Sequence, residues 1–367
     1  MLQQSSLNRL WNEAKASYSI AKHVKRCSNG KFKTSNPWKI GLIGCGRIAR
    51  RHTFGYLLTE RARMIAGADP NPKALSKAVR RFGLESSYLD FHEMLGTEEL
   101  DIVSICAPPK FHAEAIELAA KKGIKGILCE KPLALDLDEA DQVLKVCAES
   151  KVKLAIGHQR RFGAQHQLAK KILDQGEIGQ PQLLFLECPR DILRAGIHAA
   201  DFLRFYGGEV SSVYSQLADK SGKAFSDLSG SLSRGFSGDT HGLILATFKN
   251  NLTAVLKIEN RGGFPAKIQI LGEKGEIEVW FDGGLRYRKT DGFGWKIPNL
   301  VLNPYLIEFK SEIENLMDAI QYDKQPFIDG VEGRKSLEII LAILKSSVEC
   351  KEIFLPLPAE KIANRKQ

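Results

Sequence analysis

The apolar run from Ile40 to Ile43 passes straight into Gly44-Cys45-Gly46-Arg47-Ile48-Ala49, and that junction limits what the chain can fold into more than any other feature. It is the pattern G-x-G-x-x-A placed after a strand and at the start of a helix. The first glycine permits a tight turn, the second lets backbone approach a pyrophosphate, and the small third residue allows the helix to pack closely on the strand. A helix that begins there also presents free N–H groups and the positive end of its dipole to phosphate. Twenty residues beyond Ala49, the next apolar run, Met64 to Ala68, ends in Asp69. An acid at that point accepts hydrogen bonds from a ribose 2′-OH and repels a 2′-phosphate, which favours NAD. Lys73, Arg80 and Arg81 nearby keep NADP as the alternative.

Further short apolar runs at Ile102 to Ala107, Gly126 to Cys129 and Leu154 to Gly157 alternate with helical patterns. Strands alternating with helices imply a parallel sheet wound on both faces, a Rossmann domain over residues 38–160. After Arg161 the character changes. A helical stretch from Ala164 to Asp174 leads into extended segments at 182–187, 210–217, 241–248, 252–258, 268–271 and 277–280. Several alternate apolar and polar residues, as a mostly antiparallel sheet with unlike faces does. Helical spacing returns at 304–320 and 333–347. The expected architecture is α/β, with a second α+β domain over residues 161–367 for substrate. A chain of 367 residues is long enough for two cores.

The net charge of +10 suggests nucleic acid until it is located. Residues 1–37 carry +6 of it and residues 361–367 carry +3, which leaves the body nearly neutral. A folded body of that balance is no general binder of phosphate backbones. Leu7, Leu10, Trp11, Ala14, Tyr18, Ala21 and Val24 share one helical face within the basic segment. That amphipathic helix is expected to dock on its own domain or a subunit partner, with weak contact to a membrane surface or an organelle targeting role as the alternatives, and residues 28–37 read as a linker. No apolar run reaches the ~18 residues that crossing a bilayer needs. The seven cysteines are scattered without CxxC pairs or metal-ligand spacing, so a reducing, cytoplasmic setting with structural thiols and no metal is expected.

Several stretches together resemble the family of glucose-fructose oxidoreductase, inositol dehydrogenase and their relatives. They are Asp101 to Pro109 with His112, Glu130-Lys131-Pro132, Gly157 to Phe162, Gly196-Ile197-His198-Ala199-Ala200-Asp201, and Gly272-Glu273-Lys274-Gly275. The likeness spans about residues 38–355. It implies a cofactor site drawn from Gly44, Cys45, Gly46, Arg47, Ile48, Asp69, Ala107, Pro108, His112, Glu130 and Lys131. It also implies a large open sheet in the second domain, a homodimer or homotetramer, and a cis peptide before Pro132.

Glu130-Lys131-Pro132 follows a strand at the carboxyl edge, where open α/β sheets bind ligands. A lysine in a partly dehydrated cleft can hydrogen-bond a reacting oxygen and stabilise its charge. The resemblance gives His198 the role of proton partner, which imidazole chemistry near neutrality suits. Lys131 and His198 are therefore the expected catalytic pair, with Arg161 and Arg194 beside them toward substrate. His52, His112, His158 and His166 read as lesser candidates, on a helix face, a cofactor-covering turn, a strand end and a helix surface. Arg194 departs from the family pattern, which has aspartate four residues before the histidine. It suits an acidic sugar group, or equally a structural arginine in a degenerate site. If 194–206 is one α-helix, Arg194 and His198 share a face. The expected activity is hydride transfer between NAD and a secondary hydroxyl of a sugar, nucleotide sugar or cyclitol. Redox-assisted glycoside cleavage with retained NAD and a non-catalytic NAD-binding scaffold are the alternatives.

Overall fold

Residues 40–43 of strand β1 (Trp38–Ile43) are buried on both faces, the mark of a central strand in a parallel sheet covered on both sides. The structure, a computed structural model, describes residues 34–189, 192–218, 240–259, 266–281, 283–300 and 305–358. The basic segment 2–26 and most of the linker expected over 28–37 lie outside them. The chain folds as two compact units. One holds the chain to Leu133, Gln142–Gly163 and Leu302–Val331; the other holds Ala134–Asp141, Ala164–Val301 and the chain from Glu332.

The first unit is built from β1, α1 (Ala49–Thr59), β2 (Ala62–Ala68), α2 (Pro72–Phe82), β3 (Ser86–Tyr88), α3 (Phe91–Thr97), β4 (Ile102–Ile105), α4 (His112–Lys121), β5 (Gly126–Cys129), part of α5 (Leu137–Glu149) and β6 (Lys153–Ile156). Its sheet is parallel in the order β3-β2-β1-β4-β5-β6. The order reverses between β1 and β4, and a crevice at such a switch point is where doubly wound sheets hold dinucleotides. β3 has no counterpart among the expected strands: it has three residues with none fully buried, too short and polar to show as an apolar run.

The second unit carries α6 (Ala164–Asp174), β7 (Pro181–Cys188), α7 (Ile197–Gly207), β8 (Val210–Ala218), β9 (His241–Phe248), β10 (Thr253–Ile258), β11 (Lys267–Gly272), β12 (Gly275–Trp280), β13 (Leu285–Lys289), most of α9 (Gly330–Glu349) and β14 (Ile353–Phe354). Its eight strands run β13-β12-β11-β7-β10-β9-β8-β14, with only β7 and β10 parallel among the pairs. Alternation sends Ile244 and Ala246 of β9 into the core while Leu243 and Leu245 face out. Ala169 and Ile172 of α6, Phe202 and Leu203 of α7, and Ile339, Ile340 and Ile343 of α9 complete that core.

Two expectations are corrected. The units interleave rather than meeting once near residue 160: α8 (Tyr305–Gln321) belongs to the first, where Ile313, Leu316 and Met317 pack with Ile40, Leu42 and Tyr56. Periodicity reveals an apolar helix face but not which sheet buries it. His166, read as a helix-surface residue, is fully buried, its ring 4.3 Å from that of Phe202 and its Nδ1 2.9 Å from the hydroxyl of Tyr206.

Candidate active site

The glycine turn has the shape its sequence requires. Gly44 sits at φ +84°, and a Cβ there would come within 2.8 Å of the Ala107 backbone nitrogen. At Gly46 a Cβ would meet nothing within 4 Å, so backbone is bare to an approaching group. Arg47 and Ile48 follow, and α1 starts with neither a side-chain cap nor an acidic residue in its first turn. Its N-terminal dipole is left for an anion. The Cys45 thiol is buried, and burial, with Asp69 and Cys106 adding to it, pushes its pKa up to about 12. It is a packing group, not a nucleophile.

Asp69 closes β2 against this turn. Its Oδ2 accepts the Cys45 N–H at 2.7 Å and its Oδ1 accepts the Asn71 N–H at 2.8 Å. Asn71 in turn caps α2, accepting from the N–H groups of Lys73 and Ala74. Arg80 and Arg81 lie in the last turn of α2, about 14 Å along the axis from that cap, while Lys73 stands in its first turn. These residues fit NAD: an open glycine cradle, an uncapped helix start and a carboxylate fixed by two amides.

Glu130 follows β5 at the same carboxyl edge. It is nearly buried, and its Oε1 accepts from Nε2–H of the fully buried His52 at 2.9 Å. Its Oε2 accepts the Lys131 backbone N–H at 3.3 Å. On the far side, Nδ1 of His52 lies 2.7 Å from Ser104 Oγ on β4. Burial opposes the imidazolium of His52, but Cys106 and then Glu130 outweigh it, so its pKa stands well above the ordinary 6.5. Burial likewise opposes the Glu130 carboxylate, yet His52, Lys131 and His112 hold its pKa below the usual carboxylate value. The arrangement is a buried ion pair leading to Lys131, whose peptide to Pro132 is cis.

His112 does not lie open to a cofactor. Its ring is fully buried, with Nδ1 2.7 Å from the Pro132 carbonyl and Nε2 2.9 Å from that of Ala107. Burial lowers its pKa against the pull of those carbonyls, and the neutral ring donates to one of them at a time. It staples the Ala107-Pro108 turn, which closes over Gly44, to the turn bearing Lys131. Arg161 is buried in a 3-10 turn, Gln159–Phe162, after β6. His158 is buried before it.

In the second unit His198 stands in the first turn of α7, with Asp201 buried one turn on. The expectation of a continuous α-helix from Arg194 is corrected. Residues Ile192–Gly196 form a π turn, so the α-helical i, i+4 register between Arg194 and His198 does not apply. The Arg194 side chain lies outside what the structure describes. Among the described residues, no group of three or more His, Cys, Asp or Glu could hold a metal.

The family model for an oxidoreductase family with an NAD-binding Rossmann fold matches residues 38–158. An uncharacterized oxidoreductase, YrbE, of Bacillus subtilis is 30% identical over 253 residues, covering 64% of this chain and 71% of its own. The chain belongs to this family, the Gfo/Idh/MocA oxidoreductases. Inositol 2-dehydrogenase of Rhizobium meliloti, a further relative, is 29% identical over 335 residues, 86% of this chain and 98% of its own. Among solved structures, the WlbA dehydrogenase of Bordetella pertussis, in complex with NADH and UDP-GlcNAcA, shares the fold. Its TM-score is 0.73 at 23% identity, over 89% of this chain and 99% of its own. The matched residues include both the glycine turn and Asp69. Reading the sequence placed His52 only on a helix face; it missed Ser104 and the pairing with Glu130, whose position is 78 residues away.

Proposed function

We propose that this oxidoreductase uses NAD to oxidise, reversibly, a secondary hydroxyl of a cyclitol or sugar. The observation that carries this reading is the placement of Glu130-Lys131 at the carboxyl edge of the sheet that also bears the glycine turn and Asp69. The backbone that bears the lysine is thereby tethered at the strand ends where doubly wound sheets hold dinucleotides. NAD held at the glycine turn and Asp69 would supply the hydride acceptor. Lys131 donates a hydrogen bond to the reacting oxygen and stabilises the charge it gains as its C–H bond weakens. His198 takes the hydroxyl proton in oxidation and returns it in reduction. Arg161 and Arg194 are assigned to the substrate side, where a guanidinium favours hydroxyl-rich or acidic groups. The dehydrogenase relatives of inositol and D-apiose support the substrate class.

The buried thiols Cys45, Cys106, Cys129, Cys147 and Cys188, none of them in a disulfide, suit work in a reducing cytoplasm. No helix among the described residues is long and apolar enough to cross a membrane. The outward Leu243 and Leu245 on β9 suit a homodimer or homotetramer formed through the sheet. The test is turnover of NAD by the purified protein over a panel of inositols, pentoses, hexoses and sugar acids, read as NADH. Tight NAD binding with no NADH from any of them would refute the reading and leave a cofactor-binding scaffold.

A further inference from the structure

The first unit contains a polar path that the proposed reaction does not use. It starts at Ser104 on β4, passes through both ring nitrogens of His52, crosses the two carboxylate oxygens of Glu130 and ends on the backbone N–H of Lys131. Apolar strands and helices surround it: His52 and Ser104 are fully buried and Glu130 nearly so. Burying such a pair is expensive and rarely stabilises a fold more than apolar packing would. Stability alone therefore does not account for the pair.

Glu130 is the last residue before Lys131, so its carboxylate bears on the lysine in two ways. Through Oε2 it fixes the backbone from which the ammonium projects. Through its charge it attracts that ammonium, an attraction that also helps hold the Glu130 pKa down. Left unbalanced, the carboxylate would draw the lysine toward itself and keep it fully protonated. His52 supplies the balance. It faces Ser104 and Cys106 on the β4 side, Glu130 from the end of β5, and the Phe309 ring of α8 at 5.4 Å. His112 is the other titratable group bearing on Glu130 besides Lys131.

We propose that His52 is a positioning residue for Lys131: it holds Oε1 of Glu130, leaves Oε2 set against the lysine backbone, and offsets the carboxylate's charge beside the lysine ammonium. The catalytic consequence rests on the reading that Lys131 serves the reacting oxygen. The charge link itself does not.

The test separates the two. His52→Gln keeps a neutral donor at the reach of Nε2 but cannot carry charge, so Glu130 is no longer offset. Trace acetylation of the protein at pH ~8, read by mass spectrometry, reports the deprotonated fraction of the Lys131 amine against exposed Lys73 as internal reference. We expect relative labelling of Lys131 to fall at least about threefold in His52→Gln. It should recover in His52→Gln/Glu130→Gln, which removes the carboxylate as well. A role in folding alone would not produce that recovery. Should His52→Gln fail to fold, Ser104→Ala, which releases Nδ1 alone, gives a smaller fall in the same direction. Unchanged labelling of Lys131 in a folded His52→Gln protein that still binds NAD overturns the proposal. Normal turnover by Lys131→Met would overturn the catalytic reading instead, and is distinguishable because the labelling needs no turnover.

Discussion

Replacing Asp69 by Ser should collapse the preference for NAD over NADP. The carboxylate already accepts two backbone N–H groups, from Cys45 at 2.7 Å and Asn71 at 2.8 Å. With about four lone-pair sites on a carboxylate, roughly two remain for the hydroxyls of a ribose. A hydrogen bond to a charged group contributes about 1.5–3 kcal/mol. Losing the ribose contact therefore weakens NAD by about tenfold to a hundredfold. For NADP the same change removes repulsion of the 2′-phosphate, and its affinity holds or rises. Starting from NAD bound at least about tenfold tighter than NADP, the ratio in Asp69→Ser should approach or pass unity. The amides of Cys45 and Asn71 also lose a shared two-oxygen acceptor that a single serine hydroxyl replaces only in part, so the melting temperature should fall. Titration calorimetry with each cofactor, beside thermal unfolding of both proteins, makes the measurement. Equal affinities in the unaltered protein, or an unchanged ratio in a folded Asp69→Ser variant, would refute the reasoning.

Lys131→Met should lower turnover by about a hundredfold or more while NAD binding persists; steady-state kinetics with NADH detection check it. Removing residues 1–30 should spare NAD binding by calorimetry, because the described cofactor-facing residues begin at Gly44. Binding of the full chain, but not of the truncated one, to anionic vesicles at low salt would instead give the basic segment a surface role. Burial, only partly opposed by Arg160, raises the pKa of Glu308 on α8 from 4.5 to about 8. A raised folded pKa contributes stability that is complete below the unfolded value and is lost as pH rises from about 4.5 to about 8, roughly 3 kcal/mol by pH 7. Glu308→Gln should flatten that loss in urea melts taken from pH 5 to 8; parallel pH dependences in the two proteins would dismiss it.

The parts of this molecule that were legible in its sequence are those whose physics is local. β1 and the glycine turn announce themselves because a strand buried on both faces must be continuously apolar and because φ near +84° at Gly44 calls for glycine. The nearness of Asp69 and Glu130-Lys131 to that turn also followed, since parallel strands joined by right-handed crossovers place every strand-to-helix loop on one edge. What the sequence withheld depends on how elements are rotated or paired across distance. His52 and Glu130 meet only because α1 turns that face toward β4 and β5, and nothing within 78 residues of intervening chain encodes the pairing. His112 shows the same limit in another form: its place in a cofactor-side turn was readable, but its inward ring and the two carbonyls it bridges were not. The π turn at Ile192–Gly196 has no compositional signature at all, and it breaks the α-helical register leading into α7. A motif thus names which residues arrive at the sheet edge, whereas the charge each carries there is set by groups such as His52 that no motif includes. That is why the identity of the lysine could be read and its environment had to be seen.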